Sequence, residues 1–179
     1  MKDKIIKVKL PYEIVQELKK WKLSCDLIKN HPLSYLKKHE NLGSNFNHYQ
    51  VSVPSNLIEN SFWLAYTLRL CGDLFDCNHR EFYLAKWKGH FDGYDLWINY
   101  SYKGNSNPLH IHNGFLSGVI YLNNQNDVTI FPSENCEVDG QEGDMILFSS
   151  NLQHMVNEQQ KDYERVTFAF NILRKDGHR

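Results

Sequence analysis

The chain has no C-x-x-C pair. Its four cysteines, Cys25, Cys71, Cys77 and Cys136, are scattered over 179 residues. A zinc ribbon or a disulfide framework has no scaffold in that spacing, and reduced, mostly buried thiols are expected. No apolar run approaches the roughly 18 residues of a membrane span. The opening "MKDKIIKVKLPYE" alternates charge with aliphatics and lacks the apolar core of a signal peptide. The expectation is a soluble, intracellular, cytoplasmic protein with no membrane partner. Charge of one sign is also missing, since 20 Lys+Arg face 21 Asp+Glu. That balance argues against a dedicated nucleic-acid binder, although Lys86, Lys88 and Lys103 leave room for a local basic groove or a solvated face. No repeat, low-complexity segment or linker interrupts the sequence.

What is abundant is aromatic: Phe, Trp and Tyr make up 13% of the residues, which suits a β-rich core or an aromatic-lined pocket. The length suffices for a sizeable core, since a chain of roughly 150 residues buries about 70% of its unfolded surface. One domain is expected over 1–179, with a largely helical flank (1–93) and a strand-rich core (94–175). In the flank, Ile14, Leu18 and Trp21 recur at helical spacing after Pro11, which suits a first turn. "PSNLIENSFWLAYTLRLCGDLF" reads as a longer helix, capped by Ser55 and ended by Gly72. Its expected face is Leu57, Ile58, Ser61, Leu64, Ala65 and Leu68. From about Tyr94 the period changes to that of strands. "YDLWINYSY", "FLSGVIYLN", "DVTIFPS", "DMILFSS" and "ERVTFAFNIL" are separated by the turn chemistry of "KGNSNP", "NNQND" and "VDGQEG". Short strands after helices predict a mainly β fold, a sandwich or jelly roll with N-terminal helices packed against it. Trp87, Phe91, Tyr94 and Trp97 either line an entrance or pack the helices onto the sheet, and packing is the expectation for most of them.

Chemistry concentrates in "NPLHIHNG". If residues 109–113 are extended, His110 and His112 project to one face and form a bidentate clamp for a metal; an H-x-H alone suits a polar loop equally well. The best third ligand is His154, beyond the apolar strand "MILFSS". The other six of the nine histidines, His31, His39, His48, His79, His90 and His178, sit in polar or irregular contexts and read as surface residues. In "ERVTFAFN", Arg165, Thr167, Ala169 and Asn171 share one strand face, with Val166, Phe168, Phe170 and Ile172 on the other. An arginine with a hydroxyl two residues on is a fork for a carboxylate, or else an edge residue paired with a surface glutamate.

Taken together, "WIN", "HIH", "SGVIYL", "LFSSNLQHMV" and "ERVTFAFN", in that order from Trp97 to Leu173, resemble the Fe(II)- and 2-oxoglutarate-dependent oxygenases on their double-stranded β-helix (jelly-roll) core. The narrower likeness is to a small branch of unassigned substrate with an H-x-H…H…R-x-(S/T) pattern. The resemblance implies a dioxygenase using Fe(II), 2-oxoglutarate and O2, which hydroxylates an organic molecule or a protein side chain and releases succinate and CO2. His110, His112 and His154 would hold the metal, and these with Arg165 would be the catalytic set. Arg165 would pair with the distal carboxylate of 2-oxoglutarate, helped by Thr167 and Tyr121. Tyr102 would lie near its metal-bound end, and Asn99 would face the pocket. Most of the superfamily has a carboxylate where His112 stands. Its loss leaves the site one unit more positive, unless His112 turns away and water takes its place. The alternatives are a three-histidine metalloenzyme, with zinc or with iron and no 2-oxoglutarate, and a jelly-roll binding module without turnover. The first two leave Arg165 and Thr167 without a task.

Overall fold

The computed structural model describes residues 5–30, 49–86, 93–123 and 128–175. His31, His39, His48, Trp87, Lys88, His90, Phe91 and His178 lie outside the described residues. The strands are β1 (Ile6–Lys9), β2 (Tyr49–Ser52), β3 (Phe82–Leu84), β4 (Leu96–Ser101), β5 (Asn107–His110), β6 (Leu116–Asn123), β7 (Val128–Phe131), β8 (Cys136–Asp139), β9 (Asp144–Ser149), β10 (His154–Val156) and β11 (Arg165–Arg174). The helices are α1 (Tyr12–Lys29), α2 (Ser55–Ile58) and α3 (Phe62–Phe75). Among the described residues the strands form two antiparallel sheets. The larger runs β1–β9–β6–β11–β4–β2, with β3 also paired to β11, and the smaller runs β5–β10–β7–β8.

All five sequence runs read as strands are strands. The flank, however, is not only helical. The alternation in "IIKVKL" is the period of a half-buried strand. It forms β1, which pairs with β9, while β2 pairs with β4. The expected long helix is likewise two helices. Asn60 adopts a left-handed conformation (φ 65°), which interrupts the ladder. Ser61 rather than Ser55 then provides the cap, its side chain accepting from the Leu64 N–H. The buried face becomes Trp63, Thr67, Cys71 and Gly72. Gly72 sits inside α3, and the helix ends at Asp76. A Cβ on Gly72 would stand 2.9 Å from the Cys77 carbonyl oxygen, so this glycine serves a close approach of backbone and not a helix end.

The larger sheet is buried on both sides. Its outer face carries Val166, Phe168, Phe170 and Ile172 into one core with Leu18, Trp21 and Trp63 of the helices. Trp63 meets Phe170 and Trp21 edge-on at centroid distances of 5.0 and 5.9 Å. The inner face turns toward the smaller sheet, where Tyr121, Phe131, Val138, Ile146, Phe148 and Leu152 form a second cluster. The helices therefore buttress the back of the sheet and leave its front for chemistry. Trp63→Ala is expected to cost about 3–5 kcal/mol. Trp63→Phe should cost less, because the buried indole N–H has no hydrogen-bond partner among the described residues. Chemical denaturation of the two variants checks both values. All four cysteines are thiols, with Cys25 and Cys71 buried. No described helix is long and apolar enough to cross a membrane.

Candidate metal centre

His110 ends β5 and His154 begins β10, and the two are direct partners in the antiparallel register. Cross-strand partners on one face bring their Cβ atoms within reach of a shared ligand. His112 follows two residues later, its backbone N–H donating to the Ser150 carbonyl at 2.8 Å. The ring centroids lie 4.2 Å apart for His110–His154, 4.9 Å for His110–His112 and 5.1 Å for His112–His154. One ligand atom from each can be chosen so that all three fall within 4.8 Å of one another.

Two of these rings are oriented by the backbone. His110 Nδ1 lies 2.7 Å from the Pro108 carbonyl oxygen and His154 Nδ1 lies 3.0 Å from that of Leu152. A carbonyl only accepts, so each Nδ1 carries the proton and each Nε2 lone pair is left for a metal. Phe148 and Phe131 pack against His154 at 4.7 and 5.9 Å and shield it from water. Among the described residues no hydrogen bond fixes the His112 ring, which instead leans on Trp97 at 5.8 Å. This donor set fits a divalent metal of the imidazole-preferring kind, such as iron or zinc.

Burial keeps the three imidazoles neutral, as ligation requires. It lowers the pKa of His110, and that of His112 to about 3 with help from its two histidine neighbours. His154 is lowered to about 4, by burial and then by His110. With folded values below the ordinary 6.5, the unfolded chain binds more protons in between, so stability falls as pH drops through that window. The Tm of the metal-free protein is thus expected to decline between about pH 7 and about pH 5. The depressed carboxylates Glu164 and Asp144 lose their contribution only below their ordinary values of 4.5 and 3.8. Calorimetry of chelator-treated protein across this range checks the histidine contribution separately.

The inner face of the large sheet supplies the rest. Pairing aligns its side chains in rows: Trp97, Ala169, Val119 and Ile146; then Asn99, Thr167 and Tyr121; then Ser101 and Arg165. Trp97 marks the metal end, and Arg165 starts four residues along β11 from Ala169, roughly 13 Å at strand rise. Arg165 is buried, with its guanidinium 5.7 Å from the centre of the Tyr121 ring. The Tyr121 hydroxyl lies 2.6 Å from Thr129 Oγ1 and the Thr167 hydroxyl accepts from Asn99 Nδ2 at 3.4 Å. Burial raises the Tyr121 pKa, so the phenol remains protonated. Asn99 Oδ1 is buried without a partner among the described residues, an unmet polar atom in the row between the histidines and Arg165.

Tyr102 is the exception to this convergence. By strand parity it shares the outer face with Tyr100, and its hydroxyl donates to Glu164 Oε2 at 2.5 Å and accepts from Lys29 Nζ. Lys29 also pairs with Glu164 at 2.8 Å. The expectation that Tyr102 faces the metal-bound end of a cosubstrate is not met by this geometry: an even-numbered residue after β4 points toward α1. A neighbour that sequence reasoning passed over is Ser150, whose carbonyl anchors His112. Its hydroxyl belongs to a buried chain with Ser117 (2.9 Å) and Asn171 (2.6 Å from Ser117). Only the "SS" after an apolar strand marks it in the sequence.

No family model matches the chain, and no curated protein matches it in sequence. Solved structures do. The chain is similar to a prolyl-4-hydroxylase of Pseudomonas putida, with a TM-score of 0.63 at 14% identity over 94% of this chain and 92% of that one. A 2OG-Fe(II) oxygenase family oxidoreductase from Burkholderia pseudomallei gives 0.62 at 17% identity over 93% and 85%. HygX from Streptomyces hygroscopicus, with nickel and 2-oxoglutarate bound, gives 0.60 at 11% identity over 97% and 83%. The chain therefore shares the jelly-roll fold of these solved structures, and a three-histidine group stands in it.

Proposed function

We propose that this chain is an Fe(II)- and 2-oxoglutarate-dependent dioxygenase that hydroxylates an organic molecule or a protein side chain, its residues 1–179 acting as one domain. The observation that carries the reading is the convergence of His110, His112 and His154, with two Nε2 lone pairs freed, in the same jelly roll that buries Arg165. The solved relatives named above include a prolyl hydroxylase and a 2-oxoglutarate-bound enzyme, which supports the reaction class.

His110 and His154 would offer Nε2 to the metal, and His112 would complete one face. Three neutral ligands leave the full charge of the ion in place, which favours a dianionic cosubstrate. Arg165 would hold the distal carboxylate as a bidentate fork, with Thr167 and Tyr121 beside it and Asn99 between the two ends. When bound, the iron, 2-oxoglutarate and O2 supply oxidative decarboxylation to succinate and CO2 coupled to hydroxylation of a C–H bond. The protein positions the reactants, and the aromatic wall of Phe131 and Phe148 excludes water at His154.

Anaerobic visible absorption tests this. A weak charge-transfer band that needs both Fe(II) and 2-oxoglutarate, and is lost in Arg165→Ala, is the expected result. Iron binding without the band would favour a 2-oxoglutarate-independent iron enzyme. Activity restored by Zn(II) alone would favour a zinc enzyme, and absence of metal binding a binding module.

A further inference from the structure

The Trp97 indole is not used by the core. It belongs to neither apolar cluster of the described residues. Its ring instead leans on His112, and Nε1 is buried with no hydrogen-bond partner among the described residues. A buried unpartnered donor costs roughly 1–3 kcal/mol, so a residue that keeps one beside a metal group is expected to use it when a ligand arrives. Indole Nε1–H only donates, so the complement must be an acceptor. The surroundings make that acceptor anionic: three neutral imidazoles leave the charge of a bound divalent ion uncompensated, and the row partner of Trp97 in β11 is the small residue Ala169.

We propose that Trp97 is a ligand-contacting residue whose indole N–H donates to the carboxylate that binds at the histidine end of the site, beside His112. The assignment rests on the oxo-acid reading above and adds a donor to it. Arg165 binds one end of the dicarboxylate and Trp97 the other, about two rows of the sheet apart. With His112 neutral, the indole supplies orientation at the metal end without adding charge.

The test is the indole 1H–15N resonance of Trp97 in Zn(II)-loaded protein, which is diamagnetic. The chain has four tryptophans, so four indole signals serve as mutual controls, with Trp97 assigned through its backbone connectivity. Titration with 2-oxoglutarate should move the Trp97 signal downfield and leave Trp21 and Trp63 in place. Oxalate, which offers the metal-end group without a distal carboxylate, should move the same signal even in Arg165→Ala. In Trp97→Phe, 2-oxoglutarate affinity should fall about tenfold, while Zn(II) affinity, carried mainly by His110 and His154, falls far less. A Trp97 signal that answers to zinc alone, or stays still while 2-oxoglutarate binds with its usual affinity, overturns the assignment and leaves the oxygenase reading intact. Failure of the wild type to bind either acid overturns both.

Discussion

His154→Ala is expected to abolish stable metal binding, weakening it by more than the roughly 10–100-fold that loss of an outer-sphere partner costs. His154 is buried, its Nδ1 is held by the Leu152 carbonyl, and aromatic rings close over it. It therefore enters the site with one rotamer, one tautomer and an available Nε2. Alanine would also open a cavity against Phe148 and Phe131, so His154→Gln, which nearly preserves volume, is the companion variant. Anaerobic Fe(II) titration should give the same loss for both, with Tm reduced mainly in the first. His110→Ala should behave similarly, since its ring is fixed by Pro108. His112→Ala should lose less, because its ring is held by packing and, among the described residues, by no hydrogen bond. His112→Asp is the informative reversal: it restores an anion, so metal affinity should rise while affinity for dianionic 2-oxoglutarate falls.

Sequence reading reached this site because its elements are local in pattern even where they are distant in sequence. Two-residue periodicity in "ERVTFAFN" separates Arg165 and Thr167 from Phe168 and Phe170 without knowledge of the pairing, and the structure places the phenylalanines toward the helices. H-x-H identifies a clamp, but its union with His154 depends on β5 and β10 pairing, a contact between three- and four-residue strands too short to register as periodicity. The same brevity hid β1, β2 and β3. The misplaced cap has a different cause. "PSNLIENSFW" contains two serines with the right spacing to hydrophobic residues, and the left-handed turn at Asn60 decides between them. Tyr102 follows from tertiary context: Glu164 and Lys29, far apart in sequence, meet at its hydroxyl. Such an ion pair contributes modestly at a partly exposed site, yet it fixes the end of α1 against the residue that precedes Arg165.

Arg165→Ala should leave metal binding near the wild-type value and reduce 2-oxoglutarate affinity by about 100-fold or more, roughly 3 kcal/mol. The separation follows from the architecture: the histidines come from the smaller sheet and its loop, whereas Arg165 stands on β11 in the larger one. Removing a buried guanidinium from the Tyr121 ring also leaves a void, so a drop in Tm is expected and does not by itself support the assignment. Arg165→Lys discriminates. Lysine keeps the charge and much of the packing but presents a point donor instead of a planar fork. It should therefore recover Tm while recovering only part of the affinity, and do better with a longer dicarboxylate whose distal group need not meet two parallel donors. Thr167→Val, which removes one hydroxyl and keeps the shape, should cost less than either change. If Arg165→Lys restored stability and full 2-oxoglutarate affinity together, the guanidinium would be a structural partner of Tyr121, and the carboxylate fork would have to be sought elsewhere on the inner face.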